Sequence, residues 1–194
     1  DMERELKYTD IVEQPISMHP KKFALWLFLV TVVMIFAALT SAYIVRQAEG
    51  NWLDYELPEI FWITSGIVVL SSISLQVAYH AAKKDNFLLL RTCMALTVAL
   101  GIAFLVGQWY SWVALVDQEV FFVGNPSGSF LYVFTGLHAA HLISGVIFLI
   151  IVLISTFRYK VHSQALNTLE MATTYWHFLG GLWLYLFLFL LLNH

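Results

Sequence analysis

The sequence predicts an all-α integral membrane protein, a bundle of five transmembrane helices with its N-terminus cytoplasmic and its C-terminus on the opposite side. Three observations carry this. The 194 residues are 60% hydrophobic and only 12% charged, with a mean hydropathy of +0.75, whereas a soluble domain carries about a quarter charged residues. Five runs contain no Asp, Glu, Lys or Arg: 23–45, 60–82, 92–116, 120–157 and 171–194. Each reaches the roughly 20 residues that span a bilayer core. Finally, nine of the ten basic residues fall on one side of this layout: Arg4, Lys7, Lys21, Lys22, Lys83, Lys84, Arg91, Arg158 and Lys160. The other side has Arg46 among six acids, an asymmetry that predicts the orientation.

The layout is an arm over residues 1–20 and a membrane domain over 21–194, with helices expected near 21–46, 58–83, 87–115, 129–157 and 170–192. The polar, charged N-terminus does not read as a cleaved secretory signal. In the first helix, Ala37, Ala38, Ser41 and Ala42 form a small-residue face, expected to make a close helix contact. The following acidic loop holds Trp52 and Tyr55, which fit a membrane interface, and Pro58 stands where a helix can start.

In the second helix Ser65, Ser72 and Gln76 lie within about 40° of one another at 100° per residue. They are read as a buried polar seam, joined by Gln108 of the third helix. A tight turn at Lys83-Lys84-Asp85-Asn86 makes the second and third helices an antiparallel hairpin. Trp109, Tyr110 and Trp112 mark an interface belt. Gly124-Asn125-Pro126-Ser127-Gly128 breaks the long fourth run, which leaves a helix from about Ser129. Cys93 is alone, so an intramolecular disulfide or paired-thiol metal motif is ruled out.

The informative residues lie in GLHAAHLISG (Gly136–Gly145) and TYWHFLGGLW (Thr174–Trp183). His138 and His141 share nearly one face at i and i+3. Thr173, His177, Gly180 and Gly181 fall within roughly a third of a helical circumference. Such stripes face neighbouring helices, because small residues permit close approach and polar ones need partners.

A haem held between the last two helices is disfavoured by depth. From the expected cytoplasmic ends, His141 lies roughly 24 Å deep and His177 about 10 Å. A copper or dinuclear site needs three or more converging ligands, and the two histidines of the fourth helix lack a third. Transporters carry charge or broken helices in mid-span, and these runs have neither. The residues alone therefore indicate an accessory subunit of a membrane complex.

GLHAAHLISGVIFLI (Gly136–Ile150), followed after a basic loop by LEMATTYWHFLGGLWLYLF (Leu169–Phe187), resembles the end of subunit III of haem–copper terminal oxidases. The family pattern falls on Gly136, His138, His141, Glu170, Tyr175, Trp176, His177, Phe178 and Trp183. The hairpin, Gln108 and ALWLFLV to SAYIV (Ala24–Val45) resemble their counterparts too, and five spans resemble the short bacterial form. The resemblance implies a chain without redox cofactors or catalytic residues in a bacterial cytoplasmic membrane, its C-terminus periplasmic. Haems and copper would reside in the main partner, subunit I. Subunit II, small subunits or a respiratory supercomplex and phospholipid would be further partners, and nucleic acid would not.

It also implies that His138, His141, Glu170, Trp176, His177 and Trp183 contact lipid or other helices, with Gly145, Gly180 and Gly181 as a packing face. Stabilising the catalytic subunit and supporting proton uptake and oxygen access would be its roles. An accessory subunit of a quinol oxidase or nitric oxide reductase, or a small b-type haem anchor, are the alternatives. Carboxylates that the family places near Thr31 or Val32, at Ser111 and at Gly180 are missing here.

Overall fold

A computed structural model describes residues 20–157 and 163–193. Five helices account for most of it: α1 (Pro20–Ala48), α2 (Ile60–Lys83), α3 (Phe87–Asp117), α4 (Pro126–Phe157) and α5 (Ser163–Asn193). All five are long and apolar enough to cross a membrane. The N-terminal arm and the basic residues Arg158 and Lys160 lie outside the described residues.

The turns explain where the helices stop. α2 ends at Lys83, and Asn86 N–H reaches back to the Ala81 carbonyl at 3.0 Å. Asp85 adopts a left-handed φ of 56°, and Asn86 Oδ1 accepts from Leu89 N–H at 3.4 Å, a side-chain cap on α3. The hairpin turn is thus closed by its own residues.

α4 begins three residues earlier than its sequence pattern indicates. Asn125 Oδ1 accepts from Ser127 N–H at 3.0 Å and Pro126 takes the first helical position, where its missing N–H costs nothing. The same Asn125 accepts from Leu53 N–H and donates to the Asn51 carbonyl, while Ser127 Oγ donates to the Leu53 carbonyl at 2.8 Å. One asparagine thereby caps a helix and pins the α1–α2 loop to it. Trp52 and Tyr55 follow that loop inward. Trp52 packs edge-on against Tyr43 at 4.7 Å, and Tyr55 is buried, not laid out on an interface. Burial pushes the Tyr55 phenol well above the usual tyrosine range.

α5 begins at Ser163, about two turns before Glu170. That earlier start removes the depth mismatch between His141 and His177, since the two then stand at similar distances from their helix ends. The argument from depth against a shared haem therefore fails; where each nitrogen points decides the matter instead.

The backbones of α2 and α3, α3 and α4, α4 and α5, and α5 and α2 are in contact, so these four form a closed ring. α1 lies outside it, in the groove between α4 and α5. Its two ends are tied to α5: Lys22 pairs with Glu170 at 2.9 Å, while Tyr43 and Gln47 donate to the Asn193 carbonyl at 3.0 and 2.7 Å. α1 and α5 therefore run parallel. Ala37, Ala38, Ser41 and Ala42 are exposed, so the close contact expected of that face is not made among the described residues.

Candidate functional site

Of the residues singled out in α4 and α5, His138, Gly145, Trp176, Gly180 and Trp183 lie in the interior of the four-helix ring, whereas His141 and Glu170 meet α1 and Gly181 is exposed. Trp176 and Trp183 are seven residues apart, two turns of one helix, and so share a face. That face meets α2. Trp183 Nε1 donates to Ser65 Oγ at 3.1 Å, and Trp176 Nε1 donates to Ser71 Oγ at 2.9 Å. Each serine passes its own hydrogen back to a carbonyl one turn earlier, Ser65 to Phe61 and Ser71 to Val68. A hydroxyl can donate and accept at once, which lets a serine take an indole N–H without leaving anything unpaired. Tryptophan in a hydrocarbon-filled bundle needs such an acceptor.

Trp176 has a second function in the packing. A Cβ on Gly101 of α3 would stand 2.7 Å from Trp176 Cη2, and one on Gly145 of α4 would stand 3.3 Å from Trp176 Cε3. The indole is therefore slotted between two glycines while it bonds to α2. One side chain touches all three other members of the ring.

The histidines have separate partners. His138 is fully buried, with Nε2 2.9 Å from the Leu179 carbonyl of α5. A carbonyl only accepts, so Nε2 carries the hydrogen. Phe104 and Trp183 enclose the ring at 5.7 and 5.2 Å between centroids. His141 bonds through Nδ1 to the Leu137 carbonyl of its own helix at 2.7 Å. Its ring faces Phe28 and Phe36 of α1 at 6.2 and 6.1 Å.

His177 turns to α2, with Nε2 2.9 Å from Gln76 Oε1. Gln76 in turn bonds to His80 through Nε2 at 3.1 Å. His138 thus points at α5 backbone, His141 at α1 and His177 at α2. Among the described residues, no three His, Cys, Asp or Glu side chains gather in a way that could hold a metal ion.

Ser65, Ser72 and Gln76 all face α5, Ser72 through its contact with Gly180. Gln108 stands apart from them. It is buried on α3, and its amide donates to Ser111 Oγ one turn along at 3.0 Å. Ser71, Gly101 and the Ser74–Thr97 bond between α2 and α3, 3.0 Å long, complete the interior and escaped the sequence reading. Ser71, the neighbour of Ser72 and outside the seam drawn from period, is the residue that accepts from Trp176.

The glycines divide. Gly180 lies against α2, where an added Cβ would come within 3.1 Å of Val68 and 3.2 Å of Ser72 Oγ. Nothing lies within 4 Å of the same position on Gly181, which is exposed. Within the described chain the two therefore do not share a packing face. Gly180 serves the chain's own bundle, and Gly181 faces outward.

Comparison with known proteins places this arrangement. The family profile described as "Cytochrome c oxidase subunit III" matches residues 54–193. The chain belongs to the cytochrome c oxidase subunit III family. The cytochrome c oxidase subunit 3 of Corynebacterium diphtheriae is 30% identical over 83% of this chain and 82% of its own length. That of Synechocystis is also 30% identical, over 88% of this chain and 75% of its own. A Staphylococcus saprophyticus protein named "Probable quinol oxidase subunit 3" is 25% identical over 86% of this chain and 85% of its own. Membership implies partner oxidase subunits and a multi-pass place in the membrane.

The family profile covers α2–α5, the ring, and starts after α1. The positions where a subunit III carboxylate was expected are packed at Gly180, Val32 and Ser111, while Thr31 is exposed. Gly180 is pressed against Val68 and Ser72, Val32 is buried, and Ser111 is buried with its hydroxyl on the Gln108 carbonyl at 2.7 Å.

Proposed function

We propose that this chain is a non-catalytic accessory subunit of a respiratory haem–copper oxygen reductase in a bacterial cytoplasmic membrane. It packs against the catalytic subunit, shields a lipid-lined approach for oxygen and supports proton uptake on the cytoplasmic side. The N-terminal end, with Lys22, Lys83 and Lys84, is cytoplasmic, and the Arg46 end is periplasmic. One observation carries the reading. Among the described residues, tryptophan, histidine and serine side chains of the ring bond to one another and to backbone carbonyls, in a pattern that ties helix to helix.

His138, His141, Glu170, Trp176, His177 and Trp183 act in this reading as helix-to-helix contacts, with Gly145 and Gly180 admitting the bulky rings. The positions where the family places span carboxylates hold none here, and Glu170 of α5 is paired with Lys22. Any contribution to proton uptake comes from the exposed groups at the cytoplasmic end.

The sequence likeness to a quinol oxidase subunit 3 supports a second reading, in which the complex takes electrons from a quinol. Donor choice rests with other subunits, and the role of this chain is the same in both. A b-type haem anchor is less well supported, because the three span histidines turn to three different helices.

Affinity purification of the tagged chain from native membranes tests the proposal. The haem- and copper-bearing subunits are expected to come with it in equal amounts. Recovery of the chain without them would refute it.

A further inference from the structure

Two buried polar atoms of the ring are left over after its helices have paired. Gln108 of α3 and His138 of α4 are enclosed, at 1% and 0% exposure. Among the described residues, Gln108 Oε1 and His138 Nδ1 find no hydrogen-bond partner. Both are acceptors. The Ser111 hydroxyl sends its hydrogen to the Gln108 carbonyl, so Ser111 Oγ receives from the Gln108 amide nitrogen and the amide oxygen is turned elsewhere. His138 carries its hydrogen on Nε2, toward Leu179, which leaves a lone pair on Nδ1.

Their placement brings them to one layer. α3 and α4 run antiparallel: Trp112 bonds to Thr135, and a Cβ on Gly101 would stand 3.1 Å from Val146. Between these two rungs Gln108 stands level with His138 and its neighbour Ala139. Gln108 also lies two turns beyond Gly101 and one turn beyond Phe104, on the face of α3 that enters the ring. Phe104 itself packs against the His138 imidazole at 5.7 Å. The donors of this layer are already used. Trp183 gives its N–H to Ser65 and Trp112 gives its N–H to Thr135. The hydroxyls of Thr64, Ser65 and Thr135 give theirs to carbonyls of their own helices.

We propose that one water molecule is bound between α3 and α4 in this layer, donating one hydrogen to Gln108 Oε1 and the other to His138 Nδ1. Two acceptors with no protein donor to share select this ligand. It must bring two hydrogens and be small enough for a packed interior, and buried waters make about two to four such bonds. Leaving both acceptors unmatched inside the bundle would be costly. A metal cation would meet two neutral ligands and nothing to balance its charge. The water joins Leu179 of α5, through His138 of α4, to Gln108 of α3, so that three helices of the ring are tied at one depth. The inference goes beyond the accessory-subunit reading and does not depend on it, because it concerns the ring interior alone.

The test is a pair of electron cryo-microscopy maps of the intact complex, wild type and Gln108→Met, at a resolution that shows ordered waters. Methionine keeps the length of the side chain and removes the acceptor. In the wild type, one peak is expected within hydrogen-bond distance of both Gln108 Oε1 and His138 Nδ1; in Gln108→Met that peak is expected to be lost. A wild-type interior without the peak would overturn the proposal. So would a Gln108 amide in direct contact with the imidazole, or an imidazole turned to place Nδ1 on a carbonyl of its own helix, since either satisfies the acceptors without water. A peak that persisted in Gln108→Met would show a water held by His138 alone and refute the bridge.

Should Gln108→Met fail to assemble, nitrogen-15 NMR of the histidine-labelled wild-type complex decides. The His138 signal, identified by its loss in His138→Phe, is expected to be a neutral imidazole protonated on Nε2, with magnetisation transfer from bound water to Nδ1. Absence of that transfer would overturn the proposal.

Discussion

The ring of α2–α5 and the outlying α1 solve different problems with the same kind of apolar sequence. In the ring, tryptophan and histidine side chains cross from helix to helix and end on serines, an amide or a backbone carbonyl. On α1, most large apolar side chains, among them Trp26, Val30, Val33 and Met34, face away from the rest of the bundle, and the polar ties are few: Lys22 near one end, Tyr43 and Gln47 near the other, and Thr40, which accepts from Tyr185 at 3.3 Å. Water is not what drives helices together in a membrane, since lipid is as apolar as leucine. Shape and hydrogen bonds must do it instead. The ring has both on several helix pairs, whereas α1 packs through one narrow face, with Leu29, Val32 and Phe36 buried, and the family match begins after it, at residue 54.

The largest expected effect is at Trp176. Trp176→Ala removes the indole from between Gly101 and Gly145 together with its bond to Ser71. Truncating a large buried ring costs about 2–4 kcal/mol when lipid rather than water is the reference. Thermal unfolding of the purified complex, followed by release of this chain, should show a clear drop in midpoint. Gly101→Ala approaches the same outcome from the other side, because its Cβ would stand 2.7 Å from Trp176 Cη2. An unchanged midpoint in both variants would remove the distinction between ring and edge.

Trp183→Phe is expected to be milder. It keeps the ring contacts with Phe61 and Phe104 and loses only the bond to Ser65. Hydrogen bonds between membrane helices are worth about 0.6 kcal/mol on average. A double-mutant cycle with Ser65→Ala measures the term directly, and a coupling of zero would contradict the assigned bond.

Much of this was legible in the sequence, because the runs free of charge are long and separated by turn residues. The tryptophans came only with the family resemblance, while five helices and the hairpin at Asp85-Asn86 follow from spacing. The helix starts at Pro126 and Ser163 did not, since a cap made by Asn125 and a polar first turn carry no hydropathy signal. Partner choice was the least readable. Ser71 and Ser72 are indistinguishable by composition, as are Gly180 and Gly181, and only the rotation of α5 against α2 separates them.

That difference supplies a third prediction. Gly180→Leu is expected to destabilise the chain, because Val68 and Ser72 already stand near contact distance, whereas Gly181→Leu is expected to leave its thermal midpoint unchanged. Similar losses for both would place Gly181 inside an interface that the chain does not form alone.

The smallest effect belongs to the tie at the end of α1. Lys22 and Glu170 are each about a third or more exposed, and ion pairs of that kind contribute about 0–1 kcal/mol. Glu170→Gln should therefore change stability little and lose even that difference at high salt. At the other end, the buried Tyr55 phenol sets a pH limit. Its pKa is raised above that of an unfolded tyrosine, so its contribution is intact below about pH 10 and fades as pH rises further. Ultraviolet titration of the intact complex should show one tyrosine resisting ionisation in the wild type that is gone in Tyr55→Phe.

The central claim is that the imidazoles of α4 and α5 are spent on helix contacts, while electrons pass through other subunits. The most direct test is a reduced-minus-oxidised absorption spectrum of membranes in which this chain is produced without its partner subunits. A spectrum with no haem band above that of the host background is the predicted result. A new reduced band that disappears with His138→Phe or His177→Phe would contradict the account.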